Sequence, residues 1–371
     1  SLEAYSRALE GRYRLFCLSR RARADSRMAS VQVIDLREEL KEGNKSIFSR
    51  KLQQAMAGRL EAGQQTMLFI NRRGYAGFVS CRSCGEAIRC PHCDVSLTLH
   101  FGQKLVCHYC GYETGMPSLC PSCGSPYIAG FGTGTQKIEE LTKKMFPSAR
   151  VLRMDMDTTS KKGSHEEILT TFADGQADIL IGTQMIVKGH DFPNVTLVGI
   201  LAADLSLYTP DFRCGERTFQ LLTQAAGRAG RDHLAGEVMI QTYQPEHYSI
   251  RCAAAQDYPS FYRQELIYRE LLCYPPVCQM MAVLASCGSE DTLNEAMDDM
   301  ARWTGQAPGC ETVQTIGPAQ APIYKVNDIY RKILYLKQEN YGILITIKDK
   351  LDRFSRASSW FSHVTVQYDF A

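Results

Sequence analysis

Apolar residues fall into two rhythms along this chain of 371 residues. Short continuous runs read as strands buried on both faces: Val31-Gln-Val-Ile-Asp-Leu36, Thr66-Met-Leu-Phe-Ile70, Arg150-Val-Leu-Arg-Met154, Asp178-Ile-Leu-Ile181, Val195-Thr-Leu-Val-Gly-Ile-Leu201 and Glu237-Val-Met-Ile-Gln241. Between them apolar positions recur every three to four residues. That spacing predicts helices from about Ser46 to Ala62, Gln136 to Met145 and His165 to Ala173, and a further helical run from Gln220 to Arg231. Strands that alternate with helices build a parallel sheet covered on both faces, so the expected class is α/β, a doubly wound lobe interrupted once.

Beyond Tyr243 the rhythm changes. An amphipathic helix over residues 256–272 is stopped by Tyr274-Pro-Pro276. A strand at Met280 to Ser286, a helix at Asp291 to Trp303, and strands at Ile333 to Lys337, Gly342 to Ile347 and Val364 to Tyr368 follow, with a helix between the last two. This predicts a small α+β domain of ferredoxin-like type.

Composition excludes some partners. A net charge of +2 with 22% charged residues gives no whole-surface nucleic-acid signature, so any such contact must come from local patches. Arg20, Arg21, Arg23 and Arg27 form one such patch, and a solvated helix face explains them equally well. No run approaches eighteen apolar residues and SLEAYSRALEGRYR lacks the apolar core of a signal peptide, so no membrane partner is expected and the cytoplasm is the expected location. The chain starts at Ser1, which reads as a fragment or a processed chain.

Eight of the fifteen cysteines follow the pattern Cys81-x2-Cys84-x5-Cys90-x2-Cys93-x13-Cys107-x2-Cys110-x9-Cys120-x2-Cys123. Each C-x2-C aims two sulfurs at one ion, and two such knuckles complete a tetrahedral zinc site, so four make two closed sites. Spacing leaves the pairing open. With every position filled by thiolate no water can bind, which makes the zinc structural. His92, His100 and His108 are then spare. Arg82, Arg89 and Lys104 are balanced by Glu86, Asp94 and Glu113, and eight thiolates outweigh two Zn²⁺. Docking of a protein or a strand-separating wedge therefore fits this module better than general phosphate binding.

The run Gln220-Leu-Leu-Thr-Gln-Ala-Ala-Gly-Arg-Ala-Gly-Arg231 ends in two arginines set three apart. On a helix Gln224, Arg228 and Arg231 share a face, and Gly227 and Gly230 leave room for another surface to approach. Guanidiniums suit phosphate oxygens, but an arginine finger does nothing without a phosphate site opposite it. A solvated basic helix end is the alternative. No G-x-x-x-x-G-K-[ST] loop is present: Gly130-Phe-Gly-Thr-Gly-Thr135 lacks the lysine and reads as a strand-to-helix turn. No strand ends in the adjacent Asp-Glu that a Mg²⁺ site needs. Asn71-Arg-Arg-Gly-Tyr75 lies past a strand's carboxyl end, where open α/β sheets place ligands, and reads either as a DNA or lobe contact or as a surface turn.

The arginine run resembles motif VI of superfamily 2 helicases. Taken with Leu68-Phe-Ile-Asn-Arg-Arg-Gly-Tyr75 as motif IV, Ile181-Gly-Thr-Gln-Met-Ile-Val-Lys-Gly-His-Asp-Phe192 as motif V, the zinc insertion between them, Tyr274-Pro-Pro276, Gly317-Pro-Ala-Gln-Ala-Pro322 and Tyr330-Arg331, the chain resembles the PriA family of primosomal replication-restart helicases, from the tail of motif III at Ser1-Leu-Glu3 onward. The resemblance implies a RecA-like second helicase lobe in residues 1–80 and 128–250, a zinc insertion at 81–127, a linker helix at 251–275 and an α+β domain at 276–371. It implies an ATP-dependent 3′ to 5′ DNA helicase that rebuilds the primosome at stalled forks, with forked and single-stranded DNA, single-stranded DNA-binding protein and primosome components as partners. It also implies nested zinc pairing, Cys81, Cys84, Cys120 and Cys123 on one ion and Cys90, Cys93, Cys107 and Cys110 on the other. Arg228, Arg231 and Gln224 are then catalytic, and Gly189 and Asp191 face ATP with its Mg²⁺. Gly182, Thr183, Gln184, Arg72 and Arg73 face DNA, while Lys325, Arg331 and Lys332 are either a partner surface or a solvated strand edge. The family's Walker A and Asp-Glu motifs are missing from this stretch, so the chain alone is expected not to hydrolyse ATP. A zinc-ribbon adaptor that keeps a non-hydrolysing motor lobe is the alternative; a remodeller or restriction motor would leave the zinc insertion and the last domain unexplained.

Overall fold

The computed structural model describes residues 1–17, 29–70, 79–93, 95–100, 104–130, 134–155, 158–159, 163–187, 192–230, 235–306, 309–357 and 359–371. The residues Arg20, Arg21, Arg23, Arg27, Arg72, Arg73, Gly189, Asp191 and Arg231 singled out above lie outside the described residues.

Six strands, β1 (Ser30–Asp35), β2 (Gln65–Ile70), β3 (Val151–Met154), β4 (Ile179–Gly182), β5 (Val195–Leu201) and β6 (Glu237–Thr242), form one sheet in the order β1-β6-β5-β2-β4-β3. Every pairing is parallel. The central strands β5, β2 and β4 are buried at every position, which is why their sequences read as unbroken apolar runs. Around the sheet lie α1 (Leu2–Leu9), α2 (Arg50–Glu61), α3 (Thr135–Met145), α4 (Ser164–Ala173), α5 (Cys214–Ala226), α6 (Tyr248–Ala254) and α7 (Tyr258–Leu271). Helix α2 starts later than its apolar spacing suggests because Ser49 caps it, accepting from the backbone N–H of Leu52 at 3.2 Å.

The last domain runs β7 (Gln279–Cys287), α8 (Glu290–Gln306), β8 (Gln314–Val326), β9 (Ile329–Gln338), α9 (Tyr341–Ala357) and β10 (Thr365–Phe370). Its sheet is antiparallel in the order β8-β9-β7-β10. A β-α-β-β-α-β chain in that order is the ferredoxin-like topology. Two details correct the sequence reading. Residues 342–347 open α9 rather than forming a strand: Leu344, Ile347 and Leu351 are buried, a three-to-four spacing that only a helix turns to one side. The second strand is β8, which the apolar pattern does not announce.

Three apolar cores result. One flanks the parallel sheet, one fills the last domain, and a third gathers residues of the zinc module with Phe212, Tyr274 and Met280.

Candidate metal, nucleotide and DNA sites

The zinc module leaves the sheet after β2 and returns before α3 through a two-stranded stem, in which Val79–Cys81 pairs antiparallel with Ile128–Gly130. A three-stranded ribbon, Thr98–His100, Lys104–Val106 and Glu113–Gly115, lies inside it. Three of the four knuckles share one local geometry. Gly85, Gly111 and Gly124 donate to the carbonyls of Cys81, Cys107 and Cys120 at 2.8, 2.9 and 2.8 Å, each with positive φ, where a side chain would be strained. The result is two groups of four sulfurs, Cys81 with Cys84, Cys120 and Cys123, and Cys90 with Cys93, Cys107 and Cys110, with all ligand atoms in a group within 4.8 Å of one another. Sulfur separations of 3.7 Å (Cys81 to Cys123), 3.7 Å (Cys84 to Cys120) and 3.5 Å (Cys90 to Cys110) fit the roughly 3.8 Å expected between corners of a tetrahedron with Zn–S near 2.3 Å. They are far from the roughly 2.05 Å of a disulfide. Burial raises the Cys81 thiol, but backbone N–H groups of Cys84 and Ser83 and the neighbouring thiols outweigh it and bring it down to about 7. These residues fit zinc with no coordination position left for a water.

The two sites differ in cover. Cys123 is exposed and Cys84 half-buried in the outer group, whereas Cys90, Cys93 and Cys107 of the inner group are buried. The outer knuckle is also the docking point on the lobe: the Gly85 carbonyl accepts from Tyr208 Oη and from Gln244 Nε2. His108 is not a zinc ligand; its Nδ1 donates to the Gln320 carbonyl of β8 at 3.0 Å while its Nε2 meets His100 Nε2 at 3.1 Å. Burial, first, pushes the His108 pKa down.

The parallel sheet separates the remaining candidates onto opposite edges. Gly182, Thr183 and Gln184 follow β4 directly, at the carboxyl edge, beside the end of β2 after which Arg72 and Arg73 come in the sequence. Gly182 is required by packing: a Cβ there would stand 2.5 Å from Ile186 Cγ2 and 2.8 Å from the Met154 carbonyl. Helix α5 starts from the same edge and carries the chain across the sheet. Its thirteen residues span about 20 Å. Gln224 is exposed on its last turn. The helix stops at Ala226, so Arg228 sits in the following turn and not on the helical face that its spacing predicts; its N–H donates to the Ala225 carbonyl at 3.0 Å. The glycines explain the stop. Gly227 is a poor helix former that closes α5, and Gly230 has φ +65° and donates to the carbonyl of Val195, the first residue of β5, at 3.2 Å. Arg228 therefore lies at the amino edge of the sheet.

Sequence reasoning missed the cluster at the start of α5. Arg269 of α7 is fully buried, and its Nε pairs with Glu265 Oε1 at 2.8 Å while its Nη1 donates to the Pro275 carbonyl at 2.7 Å. Its guanidinium lies 4.7 Å from the centre of the Phe212 ring. Phe212 stacks on Tyr274 at 4.6 Å, and Lys337 of β9 covers the far face of Tyr274 at 3.6 Å. Tyr274 Oη donates to the carbonyl of the zinc ligand Cys93 at 3.3 Å. Lobe, linker helix, zinc module and last domain thus meet at one stack. The only signal for it in the sequence is the i, i+4 spacing of Glu265 and Arg269.

Comparison with known proteins adds to this geometry. Three family profiles match in chain order: the PriA DNA helicase Cys-rich region over residues 90–114, the helicase conserved C-terminal domain over 128–233 and the primosomal protein N C-terminal domain over 270–369. The replication restart protein PriA of Bacillus subtilis is 46% identical over 370 residues, which is 100% of this chain and 46% of that protein. The chain belongs to the PriA family. The PriA of Synechocystis is 46% identical over 88% of this chain and 40% of its own length, and that of Haemophilus influenzae 36% over 96% and 48%. The chain therefore spans about half the length of the PriA proteins it matches. The Cys-rich profile covers the inner zinc ligands, while the outer four cysteines flank it on both sides in the sequence. Among the described residues no helix is long and apolar enough to cross a membrane.

Proposed function

We propose that this chain is the second motor lobe, zinc module and C-terminal domain of an ATP-dependent 3′ to 5′ DNA helicase of replication restart. In this reading the lobe is residues 1–80 and 128–250, the zinc insertion 81–127, the linker helix 251–275 and the last domain 276–371. The observation that carries it is the opposition of the two edges of the parallel sheet within a chain of PriA type. Arg228, with Arg231 and Gln224, supplies charge and hydrogen bonds to a triphosphate held with Mg²⁺ by a partner lobe, and Gly189 and Asp191 approach the same nucleotide. Gly182, Thr183 and Gln184 contact the DNA strand at the other edge, and Arg72 and Arg73 join them, through contacts to the phosphate backbone that do not read sequence. A nucleotide at one edge and a strand at the other is what a motor needs to convert hydrolysis into movement.

The two zinc ions are structural: they hold the module rigid and carry no chemistry. Forked and single-stranded DNA, single-stranded DNA-binding protein and primosome components are the partners of this reading, and the cytoplasm its location. Lys325, Arg331 and Lys332 of the last domain are partner-surface candidates. Lys325 is already engaged, 2.9 Å from Asp328 and over the Tyr330 ring, which makes Arg331 and Lys332 the better pair to vary.

Unwinding of a 3′-tailed fork by the full-length protein tests the reading. Arg228→Ala should lower the ATP turnover number by about 1000-fold or more, the lower side of what an arginine finger supplies, while fork binding stays within a few fold. Undiminished unwinding by that variant would contradict it.

A further inference from the structure

The buried pair Glu265 and Arg269 lies at the opposite end of α5 from Arg228. Helix α5 begins without a side-chain cap from Arg213, and the Cys214 N–H donates to the Asp211 carbonyl at 3.0 Å. Glu265, carried by α7, packs against this first turn: a Cβ added to Gly215 would stand 2.5 Å from Glu265 Oε2. That oxygen accepts from Tyr248 Oη at 2.7 Å and the other pairs with Arg269 at 2.8 Å. Arg269 Nη2 also lies 3.5 Å from Glu216 Oε2, and Glu216 Oε1 accepts from the backbone N–H of Leu2 at 3.0 Å and from Gln220 Nε2 at 3.0 Å. Two carboxylates thus share one guanidinium beside the positive end of the α5 dipole.

Two properties make this cluster a device for orientation. A buried ion pair adds little stability over apolar residues of the same shape, but it accepts few geometries. And α5 is one unbroken helix of thirteen residues, so a rotation at its first turn is delivered to Gln224 on its last turn and shifts the Gly227 turn that carries Arg228. Gly215 is the contact point, since any side chain there would push Glu265 away.

We propose that Glu265 and Arg269 are positioning residues that set the direction of α5 and, through it, where Gln224 and Arg228 stand against the nucleotide. The inference rests on the reading that Arg228 serves a phosphate site.

The test uses the full-length protein and DNA-stimulated ATP hydrolysis. Glu265→Gln should lower kcat about tenfold with the KM for ATP within twofold and the zinc content still at two per chain. Added to the double variant Gln224→Ala/Arg228→Ala, it should cause no further loss, because it acts through those two side chains. An unchanged kcat in folded Glu265→Gln, or an equal loss in both backgrounds, would overturn the inference. Should Glu265→Gln not fold, Tyr248→Phe removes one hydrogen bond to Glu265 without stranding a charge and carries the same two comparisons, with a loss of about threefold expected. Full hydrolysis by Arg228→Ala alone would overturn the underlying reading, whereas an inactive Arg228→Ala beside a normal Glu265→Gln would overturn only the clamp.

Discussion

Asp204 shows what a single buried residue does to the loop that leads into α5. It is 2% exposed, and its Oδ1 accepts from Thr242 Oγ1 at 2.6 Å and from the N–H of Tyr243 at 2.8 Å. Burial, the largest influence, outweighs these bonds and raises its pKa above the ordinary carboxylate value. The folded state then binds the proton more tightly than the unfolded state, so Asp204 lowers stability as the pH rises above the unfolded carboxylate value. Asp204→Asn keeps an oxygen where both donors point. It should therefore be neutral or stabilising at pH 8 and flatten the pH dependence, whereas Asp204→Ala strands both donors and should cost about 1–3 kcal/mol. Denaturant melts at pH 5 and pH 8 separate the two variants, and a destabilised Asp204→Asn would refute the argument. Arg269 marks the limit of the sequence at this scale. An arginine on an amphipathic helix reads as solvated, and only the fold reveals that Glu216, Glu265 and the Pro275 carbonyl enclose it.

Among the elements, parallel strands were legible because burial on both faces leaves an unbroken apolar run, as in β2 and β5. The zinc knuckles were legible because metal geometry dictates spacing. The last domain was harder. Tyr341-Gly-Ile-Leu-Ile-Thr-Ile347 satisfies a strand and a helix equally until Leu351 fixes the period, and β8 carries Pro318 and Pro322, which an edge strand tolerates and a sequence pattern counts as breaks. If α9 is right, Leu344→Ala and Leu351→Ala should each cost about 2–5 kcal/mol while Thr346→Ala stays within about 0.5 kcal/mol. A large loss at Thr346 in thermal unfolding would argue against it. The zinc module gives a kinetic prediction at the same scale. A thiol-reactive mercurial should release zinc in two equal phases, the first from the outer group with its exposed Cys123 and the second from the inner group. One phase, followed with a chromogenic chelator, would mean that the two sites open together.

Across the whole molecule, the parallel sheet is the frame on which the candidate sites stand. Its carboxyl edge faces the zinc module and carries the DNA candidates; its amino edge carries Arg228; α5 connects them, anchored where four parts of the chain meet. Gly85 ties the module to this frame, since a Cβ there would overlap the Tyr243 carbonyl. Gly85→Ala should lower the unfolding midpoint and free the module, seen as faster proteolysis within residues 81–127; an unchanged digestion pattern would show that the contact is dispensable. The separation of the two edges was not legible in the sequence, because it needed the strand order.

The most direct measurement is ATP turnover with forked DNA by this chain alone, and then with a separately expressed upstream lobe from a full-length relative. The account predicts background turnover alone and strong turnover once the lobe is added, abolished again by Arg228→Ala. Turnover by the chain alone would contradict it and would point to a phosphate site elsewhere, with the Gly130 to Thr135 segment the first to vary.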